Sequence, residues 1–390
     1  MNDKKSYLMI ISGLLTAGLT VGAQAQDGFS EALSKAVSEG TAKVDFRYRF
    51  ENVDDDAFAK DANASTLRSR LTFQSGTVGG FNGLLEFDNV TYVGSDDFNS
   101  TENGKVDRPV VADPKGTEVN QAWVKYGTES LSGIYGRQRI LHGSQRFVGG
   151  VAWRQNEQTY DGLRAQWGEA SNLHLDYAYV YNINRVFGPD DSAAQPANWK
   201  GNNHLARLDW KLGDNHTLSG FIYALEIDER GAWSPNKSVN NSTDTYGVDY
   251  SGNLGPVVVK AAYATQSDAG DSDLDYDADY YMLEGAMSSA GISGKLGYEV
   301  LGADNGVGFK TPLATAHKFQ GWADKFLTAP GDGIEDLYLG VTGNLGPVKL
   351  GAFYHDFSAE DSSEDFGTEW DLVGTWPISK QFSTQLKYAN

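Results

Sequence analysis

The stretch KVDFRYRF, residues 43–50, decides the fold. Val44, Phe46, Tyr48 and Phe50 take one parity, and Asp45, Arg47 and Arg49 take the other. Successive side chains of a strand point to opposite faces. One face of this strand is therefore wholly apolar and its reverse is charged. What each face meets depends on the rest of the chain.

The pattern recurs to the end. STLRSRLTF (65–73) sets Leu67, Leu71 and Phe73 against Arg68, Arg70 and Thr72. HLARLDWKL (204–212) sets Ala206, Leu208, Trp210 and Leu212 against Arg207, Asp209 and Lys211. VVVKAAYA (257–264) and ISGKLGYEV (292–300) behave alike, and no helical period of comparable length competes. About 17 strand-like segments are legible. Bacterial barrels have even strand numbers, so an architecture of 18 with its closing strand absent from the sequence is expected.

The opening residues supply the compartment. Lys4 and Lys5, an apolar run from about Tyr7 to Val21, and Ala23-Gln24-Ala25 form a charged region, a hydrophobic region and a cleavage site. Residues 1–25 thus read as a signal peptide, 26–40 as a short amphipathic helical segment in the periplasm, and 41–390 as the barrel. The 390-residue chain has no Cys, so no disulfide can staple an exported fold. Mean hydropathy is −0.44 and no long apolar run follows the leader, which excludes a helical membrane protein. It does not exclude a transmembrane barrel, in which only alternate residues face lipid. The net charge of −20 disfavours nucleic acid as a partner.

Connection lengths sort by parity. Short turns such as GTESLS, GDNH and PISKQ take turns with long segments at 53–64, 93–118, 141–157, 182–202, 228–242, 266–277, 302–333 and 358–366. An up-and-down antiparallel barrel with tight periplasmic turns and long outer loops makes that alternation. GNLGPV occurs at 252–257 and again at 343–348 and reads as equivalent turns on one rim. Aromatics near strand ends, among them Trp123, Tyr126, Trp167, Trp210, Trp370 and Trp376, suit interfacial girdles. Loop 302–333 carries Phe309, Leu313, Phe319, Trp322 and Phe326, which need burial and could fold into the barrel mouth.

R-x-R appears three times, as Arg47/Arg49, Arg68/Arg70 and Arg137/Arg139. Strand spacing places both members on one face. Charge facing lipid costs a few kcal/mol per arginine at the midplane, so these face a watery lumen, with Ile134, Gly136 and Ile140 opposite the third pair. Arg164 and Arg207 join them from later strands. No Arg follows Arg230, whereas Asp249, Glu284, Glu299, Glu369 and Asp371 share lumen parity in the second half. A basic side facing a more acidic side is expected, and such patches set pore selectivity. The same charges could instead pair and stiffen the wall.

Other chemistry is weaker. Asp271, Asp273, Asp275, Asp277 and Asp279 alternate, but Ala278 stands where a calcium loop needs Gly, so a solvated acidic loop is the reading. Six His are present without G-x-S-x-G or H-E-x-x-H, so no catalytic set is legible.

YGRQRI (135–140), RFVGGVAWRQNEQTYDG (146–162) and TPLATAHKFQGWADKF (311–326) resemble segments of the bacterial outer-membrane alginate-export family. The resemblance runs over roughly the whole mature chain. It implies an 18-stranded outer-membrane barrel with an arginine-lined pore for anionic polysaccharide or smaller anions. The exporter in that family gates its pore with a long periplasmic turn, and every such turn here is short. The expectation is a passive channel for anionic solutes such as uronates or acidic oligosaccharides, needing no cofactor. Its expected partners are outer-membrane lipid, lipopolysaccharide and the barrel-assembly machinery. The rival readings are an alginate export channel, and a receptor or barrel enzyme.

Overall fold

The computed structural model describes residues 23–168, 172–192, 195–228 and 238–390. The expected signal peptide lies outside the described residues except for 23–25, which open helix α1 (Ala23–Ser38). Strands follow in chain order: β1 (Thr41–Val53), β2 (Ala62–Gln74), β3 (Phe81–Asp97), β4 (Gly116–Gly127), β5 (Leu131–Gln138), β6 (Thr159–Trp167), β7 (Leu173–Asn184), β8 (Asn198–Lys211), β9 (His216–Leu225), β10 (Thr243–Leu254), β11 (Val257–Asp268), β12 (Asp277–Ser289) and β13 (Ile292–Leu301). A two-residue-per-arm hairpin, β14 (Ala303–Asp304) and β15 (Val307–Gly308), sits in the next loop. β16 (Ile334–Leu345), β17 (Val348–Ser358), β18 (Asp365–Pro377) and β19 (Ser383–Ala389) complete a 17-stranded sheet. Each strand of that sheet pairs antiparallel with the next, β13 with β16 across the long loop.

The question raised by KVDFRYRF is answered by exposure. Val44, Phe46, Tyr48 and Phe50 are 58, 69, 59 and 57 % exposed, while Arg68 and Arg70 on the reverse of the neighbouring strand are 6 and 9 % exposed. The same outward apolar band continues through Leu71, Leu85, Leu163, Leu208, Leu283, Leu339 and Leu372. In water a contiguous apolar surface of that extent would be untenable, whereas lipid accepts it. No described helix is long and apolar enough to cross a membrane. Trp123 departs from the girdle expected of it. It pairs with Leu84, two places from the Glu86–Gln121 pair, and so shares their inward face.

Turn chemistry follows the loop parity. Both GNLGPV copies make two-residue turns, at Gly255-Pro256 and Gly346-Pro347, with glycine φ of 65° and 59°. That left-handed conformation is accessible to glycine without a Cβ clash. The long connections at the opposite end include 98–115, 139–158 and 302–333.

Two of those loops fold into the sheet's concave side and form a core there. Phe309 and Leu313 from 302–333 and Ile140 and Val148 from 139–158 are at most 1 % exposed. They pack with inward side chains of the wall, including Tyr160, Leu205, Phe221, Tyr223 and Tyr280. Burying each large apolar side chain contributes roughly 1.5–3 kcal/mol, which offsets the entropy of ordering the loops. The loops also bond to each other: Val148 bridges Leu313, and Gly149 N–H donates to Leu313 O at 2.8 Å. A Cβ on Gly149 would sit 2.3 Å from Thr315 Oγ1, so glycine permits this crossing.

No ladder joins β1 to β19 among the described residues. Trp153 of the inward loop lies between them instead. Its ring has the Arg49 guanidinium of β1 at 3.9 Å, the Lys387 ammonium of β19 at 4.1 Å, and the His317 ring stacked at 4.0 Å.

Candidate functional site: the charged interior

The chemistry of the interior comes from the second parity of each strand. On β1 the inward residues are Asp45, Arg47, Arg49 and Glu51, and on β2 they are Thr66, Arg68, Arg70 and Thr72. The structure sets these residues on one face of the two strands, but it does not leave them free.

Arg47 is consumed by the inward loop. Its Nε donates to Gln155 Oε1 at 2.9 Å, Nη1 to Ala152 O at 2.8 Å, and Nη2 to the Trp153 and Arg154 carbonyls. Arg49 donates to Trp153 O and pairs with Glu51. Arg68 pairs with Asp45 at 2.8 Å. Arg70 makes a bidentate pair with Asp88, at 2.6 and 2.5 Å, and reaches Glu157 at 2.7 Å. Arg139 joins Glu157 and, at 2.5 Å, Glu86. Glu157 is thus the anchor by which the 139–158 loop is held to the wall. Burial alone would raise its carboxyl, but Arg139 and Arg70 outweigh burial and hold it down at about 2.

Later arginines repeat the arrangement. Arg164 binds Asp176, with Nε to Oδ1 at 2.8 Å, and Arg207 spans Asp209 at 2.8 Å and Asp249 at 2.7 Å. The expected division into a basic side and an acidic side is therefore corrected. Most carboxylates that meet the wall arginines, among them Glu86, Asp88, Glu157, Asp161 and Asp176, come from the same half of the chain, and Asp249 of the second half meets Arg207. A desolvated guanidinium needs a counter-charge near it, and adjacent strands supply one most directly.

The third R-x-R pair departs further. β5 ends at Gln138, so Arg139 leads into the loop. Ile134 and Ile140, expected on the lipid face, are 8 and 1 % exposed, whereas Tyr135 is 59 % exposed. Alternation continues through β5 with the faces reversed: Ile134, Gln138 and Ile140 share the buried parity, and Tyr135 and Arg137 share the other. Gly136, with φ of 125°, lies so close to Ala122 O that a side chain is excluded there. Arg137 pairs with Asp161 at 2.8 Å.

The carboxylates of the second half hold the other loop and the loop-borne arginine. Glu299 pairs with Arg146 at 3.0 Å. Glu369 accepts the Trp322 and Ala323 N–H groups at 2.5 and 2.8 Å. Loop meets loop through Arg154, which reaches Asp324 at 2.9 Å and Glu51 at 3.3 Å. His317 sits against Asp324 at 2.6 Å and Lys387 at 3.1 Å. Burial lowers the His317 imidazole below its ordinary value, outweighing Asp324.

Sequence reading treats 141–157 as an outer loop and so misses Trp153, Arg154, Gln155 and Glu157. Their only signal is charge and amide clustered immediately before a strand. Among the described residues no group of three or more His, Asp and Glu is placed to hold a metal ion. The alternating Asp run lies before and within β12, where Asp279 accepts the Tyr263 hydroxyl at 2.9 Å.

An antiparallel meander with an apolar outer band and a charged interior crossed by inward loops is the architecture of an outer-membrane β-barrel channel. The chain belongs to the alginate export family, whose sequence model matches residues 40–320. No curated protein matches the chain in sequence. Solved structures similar in fold include Acinetobacter baumannii OccAB2, with a TM-score of 0.69 at 12% identity over 91% of this chain and 92% of that one. Pseudomonas aeruginosa OpdO has a TM-score of 0.66 at 12% identity over 92 and 93%. Pseudomonas aeruginosa OccK1 (OpdK) has a TM-score of 0.66 at 11% identity over 90 and 92%. The family and the fold together support an outer-membrane channel.

Proposed function

We propose that the protein is a passive channel for small anionic solutes, uronates or short acidic oligosaccharides among them, exported to the outer membrane by the signal peptide at 1–25. The observation that carries this reading is inward positive charge left within reach of the lumen: the Lys260 and Lys295 side chains on β11 and β13 are 49 and 35 % exposed and share the one carboxylate of Glu284. Fixed charge in a confined lumen selects counter-ions. Membership of the alginate export family supports an anionic cargo. A second OpdK structure, with a TM-score of 0.66, is described with vanillate, an aromatic carboxylate, and at 12% identity it lends the fold alone. Export of a polymer is the rival, favoured by the family, but it requires the lumen to be cleared of two loops. Purified protein in planar bilayers under a KCl gradient tests the reading. Steady channels with an anion-selective reversal potential are expected. Cation preference, or no conductance from a folded barrel, refutes it.

A further inference from the structure

The arginines that dominate the sequence are poor candidates for recognising a passing anion. Arg47 is capped by loop carbonyls, and Arg68, Arg70, Arg139, Arg164 and Arg207 each meet a carboxylate. At Arg70 and Arg139 a solute carboxylate would have to displace Asp88, Glu86 or Glu157, whose side chains are at most 6 % exposed.

The opposite part of the wall differs. Lys260 on β11 and Lys295 on β13 flank Glu284 on β12, at 2.8 and 3.3 Å. Their side chains are 49 and 35 % exposed, against 10 % for Glu284. Both share one carboxylate, which also accepts the Tyr338 hydroxyl at 3.0 Å. A third ammonium, Lys318, comes from loop 302–333 and donates to Ser144 O at 2.9 Å. Burial, then the charges of Lys260 and Lys295, lower Lys318 below its ordinary value. Tyr338 and Phe353 lie 4.6 and 5.3 Å from the Lys295 ammonium and steady it by cation–π attraction.

We infer that Lys260 and Lys295, sharing the single carboxylate of Glu284, form the anion-recognition site of the channel and take solutes bearing a carboxylate. The arginines act as positioning residues for the inward loop. This inference rests on the channel reading and assigns its selectivity to particular groups. The site is poised for transit rather than capture. Half-exposed ammonium groups keep part of their hydration, and conduction requires that binding be favourable enough to enter and weak enough to leave.

The experiment compares wild type, Lys260→Gln/Lys295→Gln and, as a control on the clamp, Arg47→Gln, in planar bilayers under gradients of KCl and of potassium acetate. A unit charge at about 4 Å in water changes local anion concentration roughly fivefold. The double lysine variant is therefore expected to lose about ten- to thirtyfold in anion-to-cation permeability ratio, most clearly at low ionic strength. Arg47→Gln is expected to alter conductance and noise while changing that ratio less than threefold. Heat-modifiable migration verifies that each barrel is folded. An unchanged reversal potential in the folded double variant overturns the inference, as does an equal shift from Arg47→Gln. The sign of the wild-type potential judges the channel reading separately, because the shift between variant and wild type is read whatever that sign is.

Discussion

Replacing Glu157 by Gln isolates the clamp that holds the inward loop. The carboxylate accepts from Arg70 at 2.7 Å, from Arg139, and from Asn120 at 3.3 Å. Its partners stay satisfied when it is neutralised, because Arg70 keeps Asp88 and Arg139 keeps Glu86. The loss therefore falls on loop docking and not on orphaned arginines. The carboxyl stands at about 2 against an ordinary 4.5, and this difference is worth about 3 kcal/mol at 1.36 kcal/mol per unit. That corresponds to roughly a hundredfold shift toward the undocked loop. A depressed carboxyl contributes its stabilisation above pH 4.5 and loses it as pH falls toward 2. Glu157→Gln at neutral pH should therefore resemble wild type at about pH 2: larger and noisier single-channel conductance, with cleavage within 139–158 under limited proteolysis. Wild-type conductance and protease resistance in the folded variant would refute the clamp.

Two further outcomes are expected. Phe46→Arg, near the middle of the outward face of β1, should cost about 2–4 kcal/mol of folding free energy in vesicles, read from urea titrations; a cost under 1 kcal/mol would mean that this face does not meet lipid. His317, faced by Asp324, Lys387, Arg154 and Trp153, should loosen loop 302–333 on acidification. Its lowered value means that stabilisation is present above the ordinary 6.5 and is lost as pH falls through that lowered value. Channel noise should rise accordingly between pH 6.5 and 5, and a flat profile, or one unchanged in His317→Gln, would contradict it.

Strand alternation, the sorting of loops by length and the two Gly-Pro turns are local properties, and all were legible in the sequence. Side-chain parity has a period of two residues, so KVDFRYRF by itself separates a lipid face from a charged face. On β5 the apolar Ile134 faces inward with Gln138 while Tyr135 faces outward, an assignment that residue types alone do not report. The count of arginines was equally visible, and it pointed to them as the selective groups. Only the tertiary structure shows them occupied, because their partners are set by neighbouring strands and by loops that enter the lumen. Glu157 lies 87 residues from Arg70, and Arg154 lies 170 from Asp324. Such pairings depend on the curvature of the sheet and on loops that cross its concave side, which are properties of the whole chain. Alternation along each strand settles what faces lipid; the folding of two loops across the interior settles which of the inward charges remain free to meet a solute.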